Sequence, residues 1–203
     1  MADADGVLYQ TSANGGSANP AQFTNIAFTG GNAMRFGRLR MFPAVGPTYR
    51  DLKANVQTEY WNGSTWTVNT DDGCTSLPQN TITLGSYGGN VSACKTRVFD
   101  GGAGTTVNFT SGIGKMYLSN VGSGTNTDGS VLLSANLGST SSGQYCPTVG
   151  GAGNQASTTA ANLDFLQGAW DGGSSWTVNP SARAAFGVFG APPRSLIFQR
   201  ENY

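Results

Sequence analysis

Tyr60-Trp61-Asn62-Gly63-Ser64-Thr65-Trp66-Thr67-Val68 sets two arms of aromatic and β-branched residues on either side of an Asn-Gly pair. Asn and Gly tolerate positive φ, so the pair predicts a type I′ turn joining two strands. Both tryptophans then fall on one face, where a cross-strand aromatic contact staples the hairpin. The arm leading into the turn extends back over 51–61. Leu52, Ala54, Val56, Thr58 and Tyr60 share one face and Lys53, Asn55, Gln57 and Glu59 the other, the alternation of a half-buried strand.

Working outward, 34–41 alternates as well. Gly37, Leu39 and Met41 share a parity with Arg35, and Met34, Phe36, Arg38 and Arg40 take the other, so arginine stems must cover apolar surface. Further strands are expected at 23–28, 81–84, 96–99, 105–109, 115–118, 131–133, 184–189 and 195–199. The intervening loops are dense in Gly and Ser, most of all 122–129 and 138–153. A variant of the hairpin motif returns as Trp170-Asp-Gly-Gly-Ser-Ser-Trp176-Thr-Val-Asn179, one residue longer in its loop. Two copies without similarity outside them predict a hairpin used twice, not a repeat architecture. The pattern as a whole predicts an all-β fold with little helix: a jelly-roll-like β-sandwich with long Gly/Ser-rich loops, as one domain spanning 1–203.

Composition narrows the function. Among 203 residues, 38% are hydrophobic and 30 are Gly, while only 11% are charged and the formal net charge is zero. A scattered, balanced charge lacks the basic footprint that nucleic acid or an anionic membrane surface requires. No stretch of about eighteen apolar residues is present to cross a bilayer. The segment Met1-Ala-Asp-Ala-Asp-Gly6 lacks the pattern of a signal peptide, and the chain reads as a piece excised from a longer exported protein.

The chain contains no histidine. That removes Ser-His-Asp and Cys-His nucleophilic catalysis and histidine metal sites, leaving carboxylate pairs as the enzymatic option. Glu59 and Glu201 are the two glutamates. Most aspartates precede glycine, at Asp5, Asp72, Asp100, Asp128 and Asp171, which is turn chemistry. The reading is therefore non-enzymatic. Asp71 and Asp72, in Asn69-Thr-Asp-Asp-Gly73, are weak candidates for Ca²⁺, with turn capping the favoured alternative. No other cofactor is expected.

Of the three cysteines, Cys74 and Cys94 are the favoured disulfide; closing that loop would constrain the unfolded chain by about 3 kcal/mol. Cys146 remains an alternative partner for either. Lysines near Asn-rich strands also permit a Lys–Asn isopeptide crosslink. Trp66, Trp170, Trp176 and Tyr87 are the candidate contacts for a sugar or a protein partner, since sandwich domains often present aromatic rings to ligands.

Several blocks carry a resemblance: Arg38-Leu-Arg40; Glu59-Tyr-Trp-Asn-Gly63; Asn69-Thr-Asp-Asp-Gly-Cys-Thr75; Pro180-Ser-Ala-Arg-Ala-Ala-Phe-Gly-Val188; and Ile197-Phe-Gln-Arg-Glu-Asn-Tyr203. In this order they resemble the C-terminal domain of MshQ-like proteins, which accompany the mannose-sensitive haemagglutinin type IV pilus of Gram-negative bacteria. The resemblance implies an extracellular or cell-surface protein of unknown function, with no catalytic residues to transfer. The expected role is a structural or adhesive module contacting surface or pilus proteins, and the alternative is a carbohydrate-binding module. The segment 138–153, with Cys146, departs from the blocks.

Overall fold

The computed structural model describes residues 35–124, 126–158 and 163–187. Every described element belongs to one compact unit, Arg35–Tyr203. The fold is the expected all-β sandwich. Its larger sheet has seven strands: β1 (Gly37–Met41), β3 (Leu52–Trp61), β4 (Trp66–Val68), β5 (Ser76–Pro78), β7 (Val98–Phe99), β8 (Thr106–Thr110) and β9 (Ile113–Leu118). They run in the order β1-β3-β9-β8-β5, with β4 also on β3 and β7 also on β9. The smaller sheet places β2 (Ala44–Gly46), β13 (Ser181–Phe186), β10 (Gly129–Ala135) and β6 (Ile82–Gly89) side by side in that order. β2 and β13 are parallel; the other pairings in this sheet are antiparallel. A two-stranded ribbon, β11 (Gln144–Tyr145) with β12 (Asn154–Gln155), completes the strands. Among the described residues, helix is confined to two single turns of 3-10 type, Gln79–Thr81 and Asp164–Leu166.

Alternation explains the packing. The even positions of β3 from Leu52 to Thr58 are buried, as are Leu39 and Met41 of β1 and Met116 and Leu118 of β9. Facing them, Ile82 and Leu84 of β6, Val131 and Leu133 of β10, and Ala184 and Phe186 of β13 join the same apolar cluster. Each fully buried Leu, Ile, Val or Phe contributes about 1.5–3 kcal/mol over its exposed state. β10 is buried along most of its length because it is flanked by β6 and β13 and packs on the opposite sheet.

Three corrections to the sequence-based expectations follow from this geometry. The hairpin forms, but its turn centres on Gly63-Ser64: Trp61 lies directly opposite Trp66. Asn62 moves outside the turn centre because its side-chain Oδ1 accepts the amides of Ser64 at 3.0 Å and Thr65 at 2.8 Å, while Gly63 supplies the positive φ of 100°. The second copy of the motif is no strand hairpin. Gly168 and Val178 make a single bridge, and the remainder is a loop in which the Asp171 carboxylate accepts the Gly173 amide at 3.0 Å.

The disulfide joins Cys94 to Cys146, with Cα atoms 5.2 Å apart, and leaves Cys74 free and exposed. The favoured Cys74–Cys94 pairing fails because the Asp72 turn carries Cys74 to the surface, whereas Cys94 and Cys146 are both buried in the core cluster. A Lys–Asn isopeptide crosslink needs a dry lysine, whereas Lys53 and Lys115 are exposed and the Lys95 ammonium donates to the Asn90 carbonyl at 3.1 Å. The strands expected at 23–28 and 195–199, and Glu201, lie outside the described residues. Among the described residues, no helix is long and apolar enough to cross a membrane.

Candidate binding face

The antiparallel pairing of β1 with β3 sets Arg38 opposite Glu59 on the face of the sheet turned away from the core. Glu59 is nevertheless only 3% exposed. Its Oε2 accepts Arg38 Nε and pairs with Arg38 Nη2, each at 2.7 Å, and its Oε1 accepts Gln57 Nε2 at 2.7 Å and Arg40 Nη1 at 3.3 Å. Both carboxylate oxygens are thus satisfied, which is the condition for keeping a buried charge.

The guanidinium of Arg38 is itself covered by aromatic rings. Its Cζ lies 3.9 Å from the Trp66 ring centroid and 4.7 Å from that of Trp170. Arginine suits this position because its plane stacks on indole while its edge forks onto a carboxylate. Trp66 is in turn the hub of a ring network. Trp61 and Trp176 each lie 5.7 Å from it and Phe36 5.8 Å, and Phe36 meets Trp176 edge-on at 5.0 Å. All four tryptophans of the chain therefore gather around one arginine. The two copies of the Trp motif meet here, the first as a hairpin and the second as a loop laid beside it.

Phe36, Trp61 and Trp176 remain 53%, 42% and 42% exposed, and Phe165 nearby in the same region is 67% exposed. A grouped set of exposed aromatics is the uncommon case that marks an interaction surface, where single exposed apolar residues do not. A cleft of about 410 Å³ opens beside it, lined by Phe36, Glu59, Tyr60, Asp72, Phe165 and Leu166 among others. A second, more polar groove of about 470 Å³ is lined by Ser139, Thr140, Asp164, Gln167, Thr177 and Asn179, together with Gly138 and Ser142.

The sequence-derived candidates divide accordingly. Trp66, Trp170 and Trp176 come together. Tyr87 does not join them: its ring packs on the core and its hydroxyl donates to the Leu84 carbonyl at 3.2 Å, with burial pushing the phenol above its usual range. Asp71 is engaged by Arg35 at 2.8 Å. Asp72 is a turn cap. Its carboxylate accepts the Thr58 hydroxyl at 2.7 Å and the amides of Thr75 at 3.0 Å and Cys74 at 3.2 Å. Burial pushes this carboxyl up, but those hydrogen bonds together outweigh it and hold it below the ordinary aspartate value. The Asp71-Asp72 pair is thus occupied by protein donors, and among the described residues no group of three or more Cys, Asp or Glu side chains is placed to hold a metal ion.

Phe36, Trp61, Phe165, Arg38 and Glu59 were not among the sequence candidates. The signal was present, since the parity of 34–41 puts Phe36 and Arg38 on one face and that of 51–61 puts Glu59 and Trp61 on its outer face. Only the β1–β3 pairing, which neither parity contains, brings those residues together.

No curated protein and no solved structure matches the chain significantly. A family model does match, the fourth domain of DUF6701, over residues 35–202, a span that covers every strand of the sandwich. The chain therefore belongs to the DUF6701 family, of which it carries the fourth domain.

Proposed function

We propose that this domain is a non-catalytic adhesive module of an exported, MshQ-like bacterial surface protein, and that it meets its partner through the aromatic face around Arg38. The carrying observation is the convergence of all four tryptophans with Phe36 on the outside of a sheet whose core is already filled, with Phe36, Trp61 and Trp176 exposed. A buried disulfide supports an oxidising, extracellular setting. The absence of histidine and the commitment of Glu59 and Asp72 to protein donors support a role without catalysis. Rigid aromatic side chains give large contact area at low entropic cost, which suits binding.

The test is adhesion by cells displaying the full-length protein. Trp61→Ala combined with Phe36→Ala is expected to reduce adhesion severalfold at unchanged surface display, because aromatic anchors commonly account for about 2 kcal/mol or more of an interface. Adhesion equal to wild type at equal display would remove the aromatic face as the contact surface.

A further inference from the structure

We infer that the polar groove beside the aromatic face binds a neutral glycan. The inference deepens the adhesive reading and rests on it. The 3-10 turn Asp164–Leu166 separates the two features: Asp164 lines the groove, while Phe165 and Leu166 line the aromatic cleft. Thr177, also in the groove, directly follows Trp176. Sugar rings have two kinds of surface, hydroxyl groups at the edge and patches of C–H on the face, and this junction offers a partner for each.

The polar groups are arranged in advance. Asn179 Oδ1 accepts the Leu137 amide at 3.1 Å and Gln167 Nε2 at 2.9 Å, which fixes both side-chain amides. That leaves Asn179 Nδ2 as a donor, Gln167 Oε1 as an acceptor and the Asp164 carboxylate as a stronger acceptor, none with a side-chain partner among the described residues. Vicinal hydroxyls, which donate and accept at once, complement such a set, and a hydroxyl donated to a carboxylate is charge-assisted. A β-carbon at Gly138 would stand 2.9 Å from Gln167 Nε2, so this glycine leaves the amide its place.

The charge decides against the competing ligands. Among the described residues no Lys or Arg lines the groove and Asp164 does, an arrangement that disfavours phosphate, sulfate and uronate groups. No large apolar side chain among the described residues lines it either, so a lipid tail or hydrophobic anchor finds nothing there to bury against. Its volume of about 470 Å³ lies within the range of small-ligand sites, roughly 300–1,000 Å³, and admits a short saccharide.

The experiment screens the 203-residue chain against an array of neutral oligosaccharides (gluco-, manno-, galacto- and chito-series), with heparin and oligouronates as anionic counter-probes. The best neutral hit is then titrated calorimetrically. Asp164→Asn and Trp176→Ala are each expected to weaken binding about tenfold or more, as loss of a charge-assisted hydrogen bond or an aromatic contact does. Val45→Ser, on the exposed edge strand β2 and not among the groove's lining residues, is expected to leave it unchanged. Thermal melts establish that each variant is folded. Failure of every neutral glycan to bind, preference for the anionic probes, or an unchanged affinity in folded Asp164→Asn overturns the inference. Adhesion lost with Phe36→Ala and Trp61→Ala while no glycan binds would overturn the glycan and keep the adhesive face. Glycan binding without any effect of those variants on adhesion would do the reverse.

Discussion

Replacing Arg38 by Met keeps most of the side chain's length and removes its charge. The structure sets the cost. Glu59 is 3% exposed and Arg38 15%, so the substitution strands a buried carboxylate, a change that typically destabilises by about 3–5 kcal/mol. Two features place this case near the lower end: Gln57 Nε2 at 2.7 Å and Arg40 Nη1 at 3.3 Å still reach Oε1. Loss of two stacked indole contacts adds about 0.5–1 kcal/mol apiece, partly offset by the Met stem. We expect a net loss of about 3 kcal/mol, equivalent to a fall of roughly 6–12 °C in Tm for a domain of this size. The assay is urea unfolding followed by tryptophan fluorescence, with the double variant Arg38→Met/Glu59→Leu beside the single one. Removing both charges avoids the stranded carboxylate, so the double variant is expected to recover about 2 kcal/mol relative to Arg38→Met alone. A single variant within about 0.5 kcal/mol of wild type, or a double variant that is simply additive, would refute the claim that this pair organises the face.

Two further outcomes follow from the cysteines and from Asp72. Cys94 and Cys146 are 52 residues apart, so Cys94→Ala/Cys146→Ala is expected to cost about 4 kcal/mol in the loop-closure account, whereas Cys74→Ser costs little; non-reducing peptide mapping that finds a Cys74 crosslink would contradict this. Asp72 has a folded-state pKa lowered from 3.8, so its ionised form stabilises the fold above the unfolded value and that contribution fades as pH falls through the folded one. Asp72→Asn is accordingly expected to be destabilising at pH 7 and to approach wild type below about pH 4; a stability gap independent of pH would exclude the carboxylate's charge as the cause.

Strands with one wet and one dry face are legible in the sequence, and so is the short apolar run of the mostly buried β10. β3 was expected over 51–61 and is found at Leu52–Trp61, and β8, β9 and β10 each overlap their expected runs. β2, β5, β11 and β12 were missed: none exceeds three residues, too few for a period of two to show, and β5 ends in a proline. Trp176 reaches Trp66 through a loop that has no strand periodicity, so no pattern in 170–179 announced the encounter. The turn register was misjudged because Asn62 spends its side chain on capping, a competition that the Asn-Gly rule does not weigh. The cysteine pairing was set by which loops the sandwich brings together, and sequence spacing does not contain that.

The bond from Cys94 to Cys146 also makes the chain topologically part ring. β9 sits between β3 and β8 in one sheet and β10 between β13 and β6 in the other, and both fall inside that covalent loop. A protease that nicks the surface segment near Gly122 or Gly124 therefore cuts the backbone without releasing either piece. The two interior strands stay tethered, and a clipped molecule keeps its parts at high effective concentration until a reductant arrives.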